Sequence, residues 1–142
     1  MKENKMELIF SAISENEAFA RVAVAAFTAQ LNPTVAEITE VKTAVSEAVT
    51  NAIIHGYEGI GSDKMVALKC HIIGKEIFIE IVDSGRGIAD INQAREPLYT
   101  SKPEMERSGM GFTVMEEFMD GVEVVSQVGA GTTIKLRKIL GE

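Results

Sequence analysis

The sequence has one cysteine, few basic residues and no long apolar run. Each of these features excludes a class of protein. Cys70 is the only cysteine, so an internal disulfide is excluded and a reducing cytosol is the expected compartment. Fourteen basic residues against 21 acidic ones give a formal net charge of -7, which repels nucleic acid phosphates. No apolar segment has the length of a signal peptide or a membrane span. We therefore expect a cytoplasmic protein that binds neither nucleic acid nor a membrane.

Tracts typical of linkers are missing as well. The 3 prolines and 12 glycines are scattered, and no run rich in proline, glycine or serine divides the chain. A length of 142 residues lies near the commonest domain size, and 46% hydrophobic residues suffice for a core. The sequence therefore predicts a single domain over residues 1–142.

The first half of the chain predicts one strand and two helices. Residues 6–13 alternate loosely between apolar and polar types, as a strand does. The segments 14–17 and 34–37 fit the capping-box pattern, so each predicts the start of a helix. We expect the first helix to end near Gln30, before Asn32-Pro33, and the second to end near His55.

Two β-hairpins are predicted in the second half. The β-rich runs 65–73 and 76–83 are separated only by Gly74-Lys75, which is the spacing of a tight hairpin. The final runs 122–127 and 132–137 flank a second glycine-containing turn.

The segment between the hairpins, residues 84–108, lacks sustained periodicity. It contains Pro97 and Pro103, so we expect a long functional loop with one short helix near residues 91–96. A helix over residues 109–119 should follow. This order of elements predicts a two-layer α+β sandwich, in which a mixed, mostly antiparallel sheet is covered by helices on one face.

Glu47 and Asn51 are the first candidate site residues. Four positions apart on the second predicted helix, they project from the same side. An amide oxygen suits Mg²⁺, which takes waters and substrate phosphates as its other ligands. The neighbouring carboxylate is placed to accept a proton from an attacking hydroxyl or water. Taken alone, the pair is more typical of a solvated helix face, as most isolated Glu/Asn pairs are.

The segment 83–87, Asp-Ser-Gly-Arg-Gly, is the second candidate. It ends a predicted strand with a carboxylate, which can accept a hydrogen bond from the amino group of adenine. The two glycines allow the backbone to approach a flat ring closely. An ordinary Asp-Gly turn has the same composition, so that alternative stays open.

Glycines at the start of the predicted 109–119 helix form the third candidate. Free backbone amides and the helix dipole favour phosphate there, and Lys102 and Arg107 would add positive charge. The segment is not a Walker A loop, because no Gly-Lys-Ser/Thr follows, and a plain helix entry remains possible. Near the start of the last strand, Thr133 is a candidate for bonding close to the adenine or its aspartate, although threonine is common in any strand.

In their order and spacing these motifs resemble the GHKL (Bergerat) family of ATP-binding folds. That family surrounds its nucleotide with a Glu/Asn helix, an Asp-x-Gly-x-Gly strand end, a glycine-rich hinge after a mobile lid, and a late threonine. The resemblance covers nearly the whole chain. The strings at 46–57 and 100–112 are typical of one branch, the anti-sigma factor serine kinases of sporulating bacilli. Ser84, Arg86 and the loop 58–64 depart from the pattern we expect, and none of them is a motif residue.

The resemblance implies a role for each matched position. Asn51 would hold Mg²⁺, Glu47 would be the general base and Asp83 would read adenine. The other expected nucleotide contacts come from the base pocket, a lid over about residues 90–108, the helix start and the late threonine: Gly85, Gly87, Lys102, Arg107, Ser108, Gly109, Met110, Gly111 and Thr133.

The function implied by the resemblance is that of a protein serine kinase with ATP and Mg²⁺ as cofactors. Such a protein binds and inhibits a sporulation sigma factor, and it transfers the γ-phosphate of ATP to a serine of an anti-anti-sigma factor. The resemblance also implies a homodimer, which we expect to form through the first strand and the first helix.

Rival functions remain open from the sequence. The catalytic half of a histidine kinase would need a helical dimerisation segment with a phosphorylated histidine, and His55 and His71 fall instead at a helix end and within a strand. An ATP-gated conformational switch of the chaperone or topoisomerase type would use Glu47 to activate water, but such proteins are much longer. A binding module with an inactive pocket is disfavoured because Glu47 and Asn51 are both present.

Overall fold

The computed structural model describes residues 3–56, 64–85, 87–88 and 111–141. In these ranges an antiparallel sheet of five strands, in the order β1-β2-β3-β5-β4, is combined with three α-helices. A 3-10 turn, Ala29–Leu31, follows the first helix, and a π-helical segment, Ala52–Gly56, extends the second. The elements are β1 (Glu3–Ser11), α1 (Glu15–Thr28), α2 (Val35–Asn51), β2 (Met65–Ile73), β3 (Glu76–Asp83), α3 (Gly111–Phe118), β4 (Gly121–Gln127) and β5 (Gly131–Ile139).

One face of the sheet is buried beneath the helices, which confirms the predicted two-layer α+β architecture. Along β2, β3 and β5 every second residue is buried, because side chains alternate between the two faces of a strand. Helix α2 packs between α1 and α3 and carries a buried stripe at three- and four-residue steps. Strands and helices share one core, which includes Leu68, Ile72, Ile77, Ile79, Ile81, Val41, Val45, Val49 and Met115. Among the described helices, none combines the length and the apolar character needed to cross a bilayer.

Only one of the two predicted capping boxes forms. At the start of α2 the Glu37 amide donates to Thr34 Oγ1 at 3.0 Å, and the Thr34 amide donates to Glu37 Oε1 at 2.9 Å. At the start of α1, however, Ser14 has helical angles (φ -56°, ψ -35°) and its side chain makes no capping bond. The prediction for Ser14 is wrong because a capping side chain reaches the third amide only from an extended backbone.

The remaining boundaries shift by a few residues. The first strand is Glu3–Ser11 rather than 6–13, because it pairs along its full length with Met65–Ile73 of β2. The last strand continues to Ile139, whose amide donates to Asp120 Oδ2 at 2.7 Å. The short helix predicted near residues 91–96 lies outside the described residues.

Polar contacts close the end of the molecule at which β3 begins and β5 ends, and we name it the closed end. Lys138, 8% exposed on the inner face of β5, donates to the Phe118 carbonyl oxygen at 2.7 Å. The same ammonium group lies 3.2 Å from Glu40 Oε1 on α2. Glu37 Oε2 accepts from the Gly141 amide at 3.2 Å. The start of α2 and the end of α3 are thereby tied to the last strand.

Candidate functional site

The opposite end, at which β3 ends and β5 begins, holds the described candidate residues, and we name it the site end. Glu47 and Asn51 lie on the last turns of α2, and both are half-buried. Beyond them Ala52 and Ile53 are 1% and 3% exposed, and their π-helical segment contacts β3 and β5. The carboxylate and the amide are therefore on a helix end that is anchored to the strands of the site.

Asp83 is the last residue of β3 and its side chain belongs to the inner, helix-covered face of the sheet, with 6% exposure. Its Oδ1 accepts from the Gly85 amide at 2.9 Å. Burial raises the pKa of this carboxyl, and hydrogen bonds from the amides of Gly85 and Thr132 oppose the rise. Since an ionised carboxylate has about four acceptor positions, Asp83 is fixed by backbone donors and can still accept one from a ligand.

Two glycines bring three backbone segments together beside Asp83. A Cβ on Gly87 (φ +79°) would lie 2.2 Å from the carbonyl oxygen of Gln127. A Cβ on Gly131 (φ +110°) would lie 2.1 Å from the carbonyl oxygen of Asp83. Both distances are impossible for a real side chain, so only glycine fits at these positions. Gly87 was predicted as a pocket residue, whereas Gly131 was missed.

A hydroxyl pair connects the same segments. Ser126 Oγ on β4 lies 2.7 Å from Thr132 Oγ1 on β5 and accepts from the Ile88 amide at 2.7 Å. It also lies 3.1 Å from the Gly131 carbonyl oxygen. Thr132 is 4% exposed and stands directly opposite Asp83 in the β3–β5 register. The chain that follows the glycine turn is thus bonded to β4 and, through the Ser126 hydroxyl, connected to β5.

Thr133 does not lie beside Asp83, which corrects the position predicted from the sequence. It pairs with Val82 and Val125, and the alternation of β5 directs its side chain to the outer face of the sheet. Thr132 is the threonine on the Asp83 side. Pairing Asp83 with the start of the last strand would have identified Thr132, since both residues of a cross-strand pair face the same side.

The predicted phosphate contacts fall largely outside the described residues. Lys102, Arg107, Ser108, Gly109 and Met110 lie there, as does the lid over about residues 90–108. Gly111, by contrast, is described as the buried first residue of α3. The end of α3 is bonded at the closed end, and α3 packs along α2. The first residue of α3, Gly111, therefore lies on the side of the site end.

A magnesium ion would fit this donor set only together with its substrate. Within the described ranges no group of three or more His, Cys, Asp or Glu side chains is arranged to hold a metal ion. One amide oxygen, that of Asn51, would then be supplemented by phosphate oxygens and waters, as is usual for Mg²⁺.

Comparison with protein families gives one match over most of the chain. Residues 10–138 match the family model described as a histidine kinase-like ATPase domain. Among curated proteins, the anti-sigma F factor of Clostridium botulinum (strain Eklund 17B) is 60% identical over 138 residues, covering 97% of this chain and 96% of its own. The anti-sigma F factor of Oceanobacillus iheyensis is 59% identical over 140 residues, covering 99% and 95%.

Solved structures with the same fold are more distant in sequence. The RsbU and RsbW domains of a Mycobacterium tuberculosis protein superpose with a TM-score of 0.70 at 19% identity, over 96% of this chain and 32% of that one. A blue-light activated histidine kinase domain from Erythrobacter litoralis gives a TM-score of 0.56 at 17% identity, over 87% and 60%. At these identities the likeness establishes the fold.

Proposed function

This chain belongs to the family of histidine kinase-like ATPase domains, and from that premise we propose that it is a protein serine kinase that also binds and inhibits a sigma factor. Membership of this family implies ATP binding. Relatives about 60% identical over nearly their full length carry the name anti-sigma F factor, which supports a sporulation sigma factor as one partner.

The observation that carries the proposal is the position of Asp83. Its buried carboxylate faces the helix layer at the sheet end where α2 presents Glu47 and Asn51. In the proposed complex the amino group of adenine donates to Asp83, and the Thr132 hydroxyl faces the neighbouring ring nitrogen. Gly85 and Gly87 line the base pocket. Such a pattern of one acceptor beside one donor matches adenine and rejects guanine, whose edge has the opposite order.

Phosphoryl transfer would take place toward the end of α2. Asn51 would hold a magnesium ion, which would neutralise charge on the phosphates when bound. A serine hydroxyl of the protein substrate attacks the γ-phosphorus, its proton passes to the Glu47 carboxylate, and the bond to the β–γ bridging oxygen breaks. Lys102, Arg107, Ser108 and the amides of residues 109–111 are the proposed phosphate contacts of a lid over about residues 90–108.

The proposed phosphate acceptor is an anti-anti-sigma factor. A net charge of -7 also favours encounter with the basic, DNA-binding faces of a sigma factor, although charge alone does not select the partner. We further propose a homodimer formed through β1 and α1. Helix α1 exposes Phe19 at 54% and Val22 at 61%, three positions apart on one side of the helix, and this interface would cover them.

Labelled ATP tests the proposal directly. Purified protein is mixed with Mg²⁺, γ-labelled ATP and a candidate anti-anti-sigma protein, and the label is expected on serine. Glu47→Gln should reduce transfer by at least about a hundredfold while ATP binding by calorimetry stays within about threefold. Glu40→Gln, a change of the same kind at the other end of α2, is the matched control and should leave transfer nearly unchanged.

The possible contrary results are distinct. A Glu47→Gln variant with full transfer activity would remove Glu47 from the role of base. Label released only as free phosphate would instead favour an ATP-hydrolysing conformational switch. Absence of calorimetric heat with ATP would contradict nucleotide binding itself.

A further inference from the structure

Ser126 is a residue of the edge strand β4 whose hydroxyl joins two parts of the site end. It accepts from the Ile88 amide at 2.7 Å, just after the glycine turn, and it lies 2.7 Å from Thr132 Oγ1. We propose that Ser126 is a positioning residue, which orients the Thr132 hydroxyl and thereby affects recognition of the adenine ring. This inference rests on the proposed ATP site.

The donor and acceptor capacity of the two hydroxyls supports this role. A serine hydroxyl has one hydrogen and two lone pairs, and the Ile88 amide occupies one lone pair. Its hydrogen can go to Thr132 Oγ1 at 2.7 Å or to the Gly131 carbonyl oxygen at 3.1 Å. Both arrangements satisfy Ser126 itself, so its hydroxyl can change direction without losing a hydrogen-bond partner of its own.

Each arrangement presents a different group to the proposed ligand. When Ser126 donates to Thr132, the threonine hydrogen is released to donate to a ligand. When Thr132 donates to Ser126, and Ser126 to Gly131, the threonine offers only lone pairs. The ring nitrogen N1 of adenine, next to the amino group, is an acceptor and therefore selects the first arrangement.

The position of Ser126 also fixes the distance between Thr132 and the glycine turn. The Gly87 backbone packs directly on the carbonyl of Gln127, the residue after Ser126. The Ile88–Ser126 bond holds the turn in this contact, and Thr132 stands opposite Asp83 in the register. Loss of one hydroxyl would therefore loosen the donor that reads N1 while the Asp83 acceptor keeps its backbone bonds.

A pair of nucleotides separates this role from a general effect on the fold. ATP offers both the amino group and N1, whereas 1-deaza-ATP keeps the amino group and lacks the N1 acceptor. For the wild-type chain we expect calorimetry to give a dissociation constant about tenfold higher for 1-deaza-ATP than for ATP. In Ser126→Ala the ratio should fall toward one, because ATP binding weakens and 1-deaza-ATP binding hardly changes.

Matched variants complete the experiment. Ser126→Thr keeps a hydroxyl and should keep most of the discrimination, and Val125→Ala, on the outer face of the same strand, should keep all of it. Thr132→Val should lose the discrimination as Ser126→Ala does, and the double variant should lose no more. Because the wild-type ratio is measured independently, the proposal remains testable if Ser126→Ala does not fold.

Two results would overturn the inference and leave ATP binding itself intact: a wild-type chain that binds both nucleotides equally, or a Ser126→Ala variant that weakens both by the same factor. A wild-type chain that binds neither nucleotide would contradict the proposed ATP site together with the inference.

Discussion

The closed end and the site end of this sheet are held by opposite kinds of contact. At the closed end, long charged side chains such as Lys138 and Glu37 satisfy backbone groups that would otherwise be unpaired. At the site end, Gly87 and Gly131 bring backbone against backbone, and the carboxylate of Asp83 is buried despite the cost of desolvation. One end thus gains stability from its polar groups, whereas the other loses stability by burying a carboxylate, which is the group we propose for adenine recognition.

The largest expected effect comes from adding one methyl group at the site end. Gly131→Ala forces a side chain into the carbonyl oxygen of Asp83, so we expect a loss of about 3 kcal/mol or more in the free energy of unfolding, with loss of ATP binding. Gly129→Ala is the control, because its φ is +84° but no atom lies within 4 Å of the added Cβ. It should cost only about 1 kcal/mol. Equal losses in urea unfolding would contradict the role assigned to close packing.

The closed end is tested by Lys138→Met, which keeps the length of the aliphatic part of the side chain and removes its ammonium group. The Phe118 carbonyl then loses a donor and Glu40 loses its cation, so we expect a loss of about 2 kcal/mol in urea unfolding. Because Lys138 is far from the site end, ATP affinity of the folded protein should change less than about twofold. A large change in affinity would show that the two ends are coupled.

A smaller effect on stability is expected at the residues that precede the helices, and it should differ between Thr34 before α2 and Ser14 before α1. Thr34→Ala removes the cap of α2 and should cost about 1 kcal/mol. Ser14→Ala should be nearly neutral, since Ser14 makes no capping bond. Thermal unfolding of the two variants under one set of conditions measures the difference, and a reversed order would contradict the capping geometry.

The smallest effect is a difference in pH dependence between the two ends. Burial raises the pKa of Asp83, so the folded state holds this proton more tightly and stability falls as the pH rises from the ordinary aspartate range through the raised pKa. Asp83→Asn should remove that slope and weaken ATP binding. The hydrogen bond from the Thr34 amide lowers the pKa of Glu37, so the contribution of Glu37 to stability is lost as the pH falls through the lowered pKa. Urea unfolding of Asp83→Asn and Glu37→Gln across pH should therefore show deviations of opposite sign from wild type.

Much of the fold could be predicted because its signals are local. The Gly74-Lys75 hairpin and the Thr34 capping box both depend on a few neighbouring residues, and the structure confirms both. Ser14 has the same local pattern as Thr34, but it follows a turn in which the Ala12 amide bonds to the Lys64 carbonyl oxygen and Ala12 is 1% exposed. This contact with a distant part of the chain lies just before the start of α1, and it cannot be predicted from the residues at 14–17.

The part of the site that could be predicted is the part in which helical spacing determines which side chains lie on the same side of a helix. Glu47 and Asn51 are four residues apart on one helix, so their shared side followed from the sequence. The choice between Thr132 and Thr133 depends on the register between distant strands, and the role proposed for Ser126 depends on its bonds to two other segments, one at Ile88 and one at Gly131-Thr132. Neither has a local signal.

The pairing of β3 with β5 has a consequence for how the proposed adenine pocket forms during folding. β2–β3 and β4–β5 are hairpins, whose paired residues are close in sequence. The β3–β5 pairing, which places Asp83 opposite Thr132, joins parts of the chain that are far apart in sequence. In the proposed site, a chain with only one hairpin formed has no adenine pocket. We therefore expect nucleotide to stabilise the completed fold and no earlier species, so that its binding during refolding reports the pairing of β3 with β5.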